Sequence, residues 1–182
     1  LLPVLYMTAG FDGQPLLEEQ KRFGNSVARY IDIQNDAAQY CADQSQHNVG
    51  IALHSLRAVP AEPMSEVINY FANNSSVCPI HIHISEQTQE VEQSIASLKK
   101  RPVEWLLDNH TVDQQWCLIH ATHMTPQETE ALARSGATVG ICPTTEANLG
   151  DGLFPLRNYL DHGGHIAIGS DGNTCTNPME EL

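Results

Sequence analysis

The apolar positions of this chain fall into two alternating textures. Short runs rich in β-branched residues occur at 1–7, 49–54, 79–85, 116–121, 138–142 and 165–170, and each reads as a strand. Longer mixed stretches lie between them, at 22–44, 64–73, 88–100, 103–108, 126–135 and 154–162, and read as helices. Local signals mark several ends. Pro63 precedes the second helix, and Lys99, Lys100 and Arg101 close the third with cations that complement its dipole. Thr125 and Pro126 open the fifth, which stops at Gly136. The stretch from Thr144 to Gly152 reads as a long polar loop of Asn, Asp and Gly turn chemistry, suited to shaping a pocket.

Strands alternating with helices at this spacing predict an α/β fold of parallel βαβ units with right-handed crossovers. Six such units are two short of a closed (β/α)8 barrel, and a doubly wound open sheet fits the periodicity as well. The polar residues separate the two. His54, His83, Glu86, His120, Thr144 and Asp171 all stand at or just past the C-terminal end of a strand, and that placement favours the barrel.

The same residues carry the candidate chemistry. The run from Pro79 to Ile84 ends on Ser85, Glu86 and Gln87, so one strand delivers a histidine and then a glutamate to its tip. A parallel barrel presents a metal ligand beside a proton carrier in this way. His81 and His83 point to the same face of that strand. His81, a layer deeper, reads as a packed, hydrogen-bonded histidine, whereas His83 lies within reach of Glu86. Strand register favours His120 over the loop residue His123 as the next site histidine. Asp171 ends an Ile-Ala-Ile-Gly-Ser run, where a carboxylate is costly to bury unless paired or metal-bound; the alternative is a solvated turn aspartate before Gly172. His54 and Arg57 close the second strand, and an arginine fork there suits a carboxylate as well as an ordinary surface ion pair. His47, His110, His162 and His165 read as surface or capping residues.

Bulk properties narrow the partners. The 182 residues carry nine Lys plus Arg against 22 Asp plus Glu, a formal charge of −13, which argues against nucleic acid or an anionic membrane. No run approaches the ~20 apolar residues of a membrane span, and no signal peptide is visible. The five cysteines, Cys41, Cys78, Cys117, Cys142 and Cys175, are scattered and suggest no disulfide framework, in keeping with a reducing, cytoplasmic setting. The chain opens without Met on a strand-like run and stops at Asn177-Pro178-Met179-Glu180-Glu181-Leu182, a helix start with no helix after it. The expectation is therefore a piece of a longer protein.

The segments LLPVLY (1–6), HSLRAV (54–59), HIHISEQ (81–87), WCLIHATH (116–123), CPTTEANLGDG (142–152) and GSD (169–171) together resemble the amidohydrolase superfamily, and within it the formimidoylglutamate deiminases. That resemblance implies a (β/α)8 barrel of the metal-dependent hydrolase kind, of which 1–182 would supply roughly strands three to eight. The first strands, with their H-x-H ligands, and any small β-domain would lie outside. It implies one divalent metal, usually Zn2+, with His83 and Asp171 as ligands, Glu86 as proton shuttle and His120 beside the attacking water. His54 and Arg57 would bind the substrate's glutamate carboxylate. The implied reaction is hydrolysis of N-formimidoyl-L-glutamate to N-formyl-L-glutamate and ammonia, as in histidine degradation; these 182 residues alone would bind zinc poorly and turn over nothing. Gly172-Asn173 departs from the family's usual Ser-His. Two alternatives stand beside this reading: a deaminase of a purine or triazine, and a truncated non-catalytic remnant. A small-molecule substrate is the expected partner, and a homodimer the candidate assembly.

Overall fold

A computed structural model describes residues 1–43, 45–74, 79–172, 175 and 177–182. All six predicted strands are present, as β1 (Val4–Leu5), β2 (Ile51–Ser55), β3 (Ile80–Ile84), β4 (Trp116–His120), β5 (Thr138–Ile141) and β6 (His165–Ile168). They are hydrogen-bonded in chain order, as successive βαβ crossovers require. The chain divides into two compact units, 1–82 and 83–182, with the boundary inside β3.

In the first unit β1 runs parallel to β2, with Val4 beside Ala52 and Leu5 beside Leu53. Helices α1 (Val27–Cys41) and α2 (Ala61–Asn74) accompany them. The fully buried Tyr30 on α1 ties helix to strands through its hydroxyl. That oxygen donates to Pro3 O at 3.0 Å and accepts from the Ala52 amide at 3.1 Å and from Gln34 Nε2 at 2.8 Å. The stretch expected as one helix over 22–44 is broken in two. A 3-10 turn at Lys21–Phe23 ends at Gly24, and α1 starts only after Ser26, whose Oγ caps the Arg29 amide at 3.2 Å. Asn25, between them, faces β1: its side chain accepts from Tyr6 N and donates to Val4 O. α2 begins at Ala61 rather than after Pro63, because a proline in the first helical turn forfeits no hydrogen bond.

The second unit continues with β4, β5 and β6, all parallel, Leu118 lying beside Val139 and Val139 beside Ile166. Its helices are α3 (Thr88–Leu98), α4 (Pro102–Asn109), α5 (Pro126–Ser135), α6 (Pro143–Leu149) and α7 (Leu156–Asp161). α5 carries a full capping box between Thr125 and Glu128, and Gly136 ends it at φ 83°. α6 corrects the loop expected at 144–152. Pro143 sits in its first turn and Gly150 ends it at φ 72°, so a helix-start proline and a C-terminal glycine framed a helix that polar composition disguised. The expected helix start after Asn177 is a turn closed by the Glu180 amide on Asn177 O. β6 is exposed along its length, unlike the buried run its apolar residues suggest, since among the described residues it pairs only with β5.

Buried positions alternate along β3 (Ile80, Ile82, Ile84) and β4 (Trp116, Leu118, His120), the signature of one covered sheet face. Among the described residues no helix is long and apolar enough to cross a membrane. Cys41, Cys117, Cys142 and Cys175 are free thiols; Cys78 lies outside the described residues.

Of the two roles expected of His110, surface or capping, the structure shows the cap. It follows α4 as its C-terminal cap, but its ring lies near Trp105 and Trp116, at 5.8 and 6.2 Å, and its Nε2 is buried without a hydrogen-bond partner among the described residues. Burial lowers its pKa. The unfolded chain therefore takes up a proton near pH ~6.5 that the folded chain resists. The stability from keeping this ring neutral is complete above that pH and is lost as pH falls through the depressed folded value. His110→Phe is expected to lose less stability than the parent between about pH 7 and pH 5, as read by urea unfolding at both pH values.

Candidate active site

Three strand tips of the second unit converge on one small volume. His83 comes from β3, His120 from β4, and Asp171 from the turn after β6. One ligand atom from each of the three lies within 4.8 Å of the other two. The His83 and His120 rings are 5.7 Å apart, tilted by 30°. Glu86, just beyond β3, places a carboxylate oxygen 3.8 Å from His120 Nε2.

Strand alternation alone does not produce this arrangement. On β4 His120 belongs to the buried row of Trp116 and Leu118, whereas His83 belongs to the half-exposed row of β3. His120 has φ 70° and Ala121 φ 49°, so the backbone leaves the regular strand conformation at this tip, where the His120 ring lies near that of His83. Ser85 (φ 51°) and Asp171 (φ 38°) make similar turns at the other two tips. Left-handed backbone costs a non-glycine residue about 1–2 kcal/mol, and such strain gathers where a side chain must be aimed. Four of the six non-glycine residues with positive φ among those described stand at these tips.

Buried polar groups hold the tips in place. Glu90 on α3, 3% exposed, accepts from the amides of Ser85 and Glu86 at 3.1 and 2.9 Å, which fixes the backbone that carries Glu86. Thr145 on α6 accepts from the Gly172 amide at 3.3 Å and donates to Ser170 O at 3.5 Å, bracketing Asp171. Glu146, also on α6, lies 3.1 Å from His120 Nδ1 and accepts from the Cys142 amide at 2.9 Å. Glu181 accepts from the amide and hydroxyl of Thr144 at 3.0 and 2.5 Å. None of these four was singled out in sequence. Glu90 carried a usable signal, since it lies one helical turn after Glu86, but Glu146 was hidden by reading its helix as a loop.

The electrostatics are strongly negative. Burial pushes the Cys142 thiol up to about 12, with Asp171, Glu146, Glu181 and Glu86 each adding to the shift, so it stays a neutral thiol. Burial pulls His120 down, but the hydrogen bond to Glu146 and the charges of Glu86, Glu146 and Asp171 outweigh it and its pKa is raised. Two imidazoles and a carboxylate whose ligand atoms lie within 4.8 Å of one another, with further carboxylates nearby, fit a divalent cation with mixed N and O ligands. His120, Cys142 and Glu146 form an overlapping donor set, but Glu146 is already engaged with both neighbours.

The remaining candidates are placed as follows. His81 is half-buried in the first unit, two residues before His83. His123 is a loop residue whose amide donates to Ser85 O. His54 and Arg57 also belong to the first unit. His54 Nδ1 lies 3.0 Å from Ser55 Oγ, and its ring meets Tyr6 edge-on at 4.6 Å. Arg57 sits in the turn after β2, its carbonyl accepting from Thr8 Oγ1; among the described residues no acidic side chain pairs with its guanidinium. Thr144 lies in the first turn of α6. Asn173 lies outside the described residues.

Residues 18–182 match the model of the amidohydrolase family. The chain is 46% identical over all 182 residues to a formimidoylglutamate deiminase of Pseudomonas aeruginosa, of which it covers 39%. It is 33% identical over 127 residues to a 5-methylthioadenosine/S-adenosylhomocysteine deaminase of Halobacterium salinarum, a match covering 70% of this chain and 29% of that protein. The chain thus spans about two-fifths or less of the length of these curated relatives. The crystal structure of an amidohydrolase from Brucella melitensis superposes on the whole chain with a TM-score of 0.94 at 43% identity, the chain covering 40% of it. An adenosine deaminase from Xanthomonas campestris with bound zinc shares the fold, with a TM-score of 0.83 over 99% of this chain and 39% of its own length at 23% identity.

Proposed function

The chain belongs to the amidohydrolase family, and from that premise we propose that it forms the larger part of the catalytic barrel of a formimidoylglutamate deiminase. In this reading residues 1–182 supply roughly strands three to eight, and the first strands and a small β-domain belong to the rest of the enzyme. The reaction is hydrolysis of N-formimidoyl-L-glutamate to N-formyl-L-glutamate and ammonia. The observation that carries the reading is the convergence of His83, His120 and Asp171 with Glu86 alongside.

His83 and Asp171 would hold the divalent metal, most simply Zn2+, with His120 facing the same point. When bound, such an ion lowers the pKa of water toward ~7 and so makes a nucleophile available at neutral pH. The chain's own residues do the rest. Asp171 accepts the proton released as water adds to the formimidoyl carbon. Glu86, held at the β3 tip by Glu90, passes a proton to the departing nitrogen. As the C–N bond breaks and the carbonyl forms, the proton held by Asp171 and the hydroxyl proton of the tetrahedral adduct complete the leaving nitrogen as NH3 and restore Glu86, so both protons of the water are accounted for.

His54 and Arg57 take the substrate carboxylate. Arg57 supports this role by having no acidic partner among the described residues, which leaves its fork available for an anion. A deaminase of the purine type needs no such clamp, so Arg57 separates the two readings. Charge-assisted hydrogen bonds contribute about 1.5–3 kcal/mol, or roughly 10–100-fold in binding. Arg57→Met, in an enzyme of the relatives' full length, is expected to raise KM for N-formimidoyl-L-glutamate by that factor with kcat little changed. An unchanged KM would turn the argument toward a base as substrate.

A further inference from the structure

We propose that Glu146 is a positioning residue that sets the tautomer of His120, so that Nδ1 carries the proton and Nε2 presents its lone pair to the site. This rests on the active-site reading above and adds a residue to it.

The argument is geometric. His120 is 1% exposed, and its two ring nitrogens face two different carboxylates. Glu146 lies 3.1 Å from Nδ1, within hydrogen-bonding distance; Glu86 lies 3.8 Å from Nε2, beyond it. A carboxylate accepts and cannot donate, so the short contact requires a proton on Nδ1. Glu146 cannot turn away to relax this demand. It is 6% exposed, sits inside α6, and the same oxygen that meets Nδ1 also accepts the Cys142 amide at 2.9 Å. The two residues before it in that helix are also engaged, Thr144 donating its amide to Glu181 and Thr145 accepting from the Gly172 amide. A histidine that offers one nitrogen to a metal or a reacting water commonly gives its other N–H to a carboxylate, and losing that partner costs about 10–100-fold in affinity or activity.

The direct test is nitrogen-15 NMR of the histidine-labelled protein, at a pH high enough to neutralise His120, with the His120 signal assigned by its loss in His120→Gln. The expected result is an Nδ1–H tautomer at His120 in the parent and a shift to predominantly Nε2–H in Glu146→Leu. Glu146→Gln, nearly isosteric and kept in case the leucine variant does not fold, is expected to give a mixture, because an amide both accepts and donates. An Nε2–H tautomer in the parent, or a tautomer unchanged by whichever variant folds, would overturn the proposal. This readout needs neither metal nor turnover, so it decides the role of Glu146 even if the substrate assigned above is wrong. In the complete enzyme Glu146→Gln is expected to lower kcat by about 10–100-fold with KM unchanged. A fall in kcat/KM through KM alone would place Glu146 in substrate binding and contradict the positioning role.

Discussion

Replacing Glu86 with glutamine is expected to lower kcat for deimination by about 10²–10⁴-fold, the range that a positioned general acid contributes. Glutamine keeps the size and the hydrogen-bonding oxygen of glutamate but cannot hand over a proton at neutral pH. Glu86 is suited to isolating that one function. Its side chain is 17% exposed, and its backbone amide is held by Glu90 whatever the side chain does. The variant should therefore fold normally, with stability within about 0.5 kcal/mol of the parent. Steady-state kinetics beside a thermal melt checks both halves. A kcat within a few-fold of the parent would remove Glu86 from the proton path.

Leu118→Ala is expected to destabilise the protein by about 2–5 kcal/mol, the cost of emptying a packed leucine site. Leu118 is fully buried at the centre of β4, with Val139 of β5 beside it in register. Two residues further along is His120, so a cavity here loosens the strand that aims the site histidine. The measurement is urea unfolding, with a lowered midpoint and an unchanged slope as the expected signature. A loss below about 1 kcal/mol would mean that β4 is not the packed centre of its sheet.

The fold was largely legible because short runs rich in β-branched residues suit a pleated, packed sheet, and all six such runs formed strands. The (β/α)8 class expected from strand-tip polarity agrees with the family that residues 18–182 match. What stayed hidden left no periodic signal in the sequence. α6 is seven residues long and mostly polar, too short to show a period, and all of it after Pro143, with Gly150, was read as a loop. Glu146 and Thr145 were lost with it. The split of 22–44 turned on Asn25, whose side chain bonds β1 rather than continuing a helix, a tertiary contact that no local window reveals. The capping role of His110 was among those expected, but the burial of its ring was missed for a related reason. Nothing local marks a histidine that two tryptophans, five and six residues away in the chain, approach. At the site, residue types at the strand tips pointed to His83, Glu86, His120 and Asp171 as a group. The left-handed turns at His120 and Asp171 are properties of backbone no side-chain pattern announces.

The measurement that bears most directly on this account is ammonia release from N-formimidoyl-L-glutamate by the zinc-loaded enzyme of full relative length that carries this chain, run beside its Asp171→Asn variant. Ammonia and N-formyl-L-glutamate are expected in equal amounts from the parent, with release from the variant lowered by about 10²-fold or more. No ammonia from this substrate, with rapid release from a purine nucleoside instead, would contradict this account.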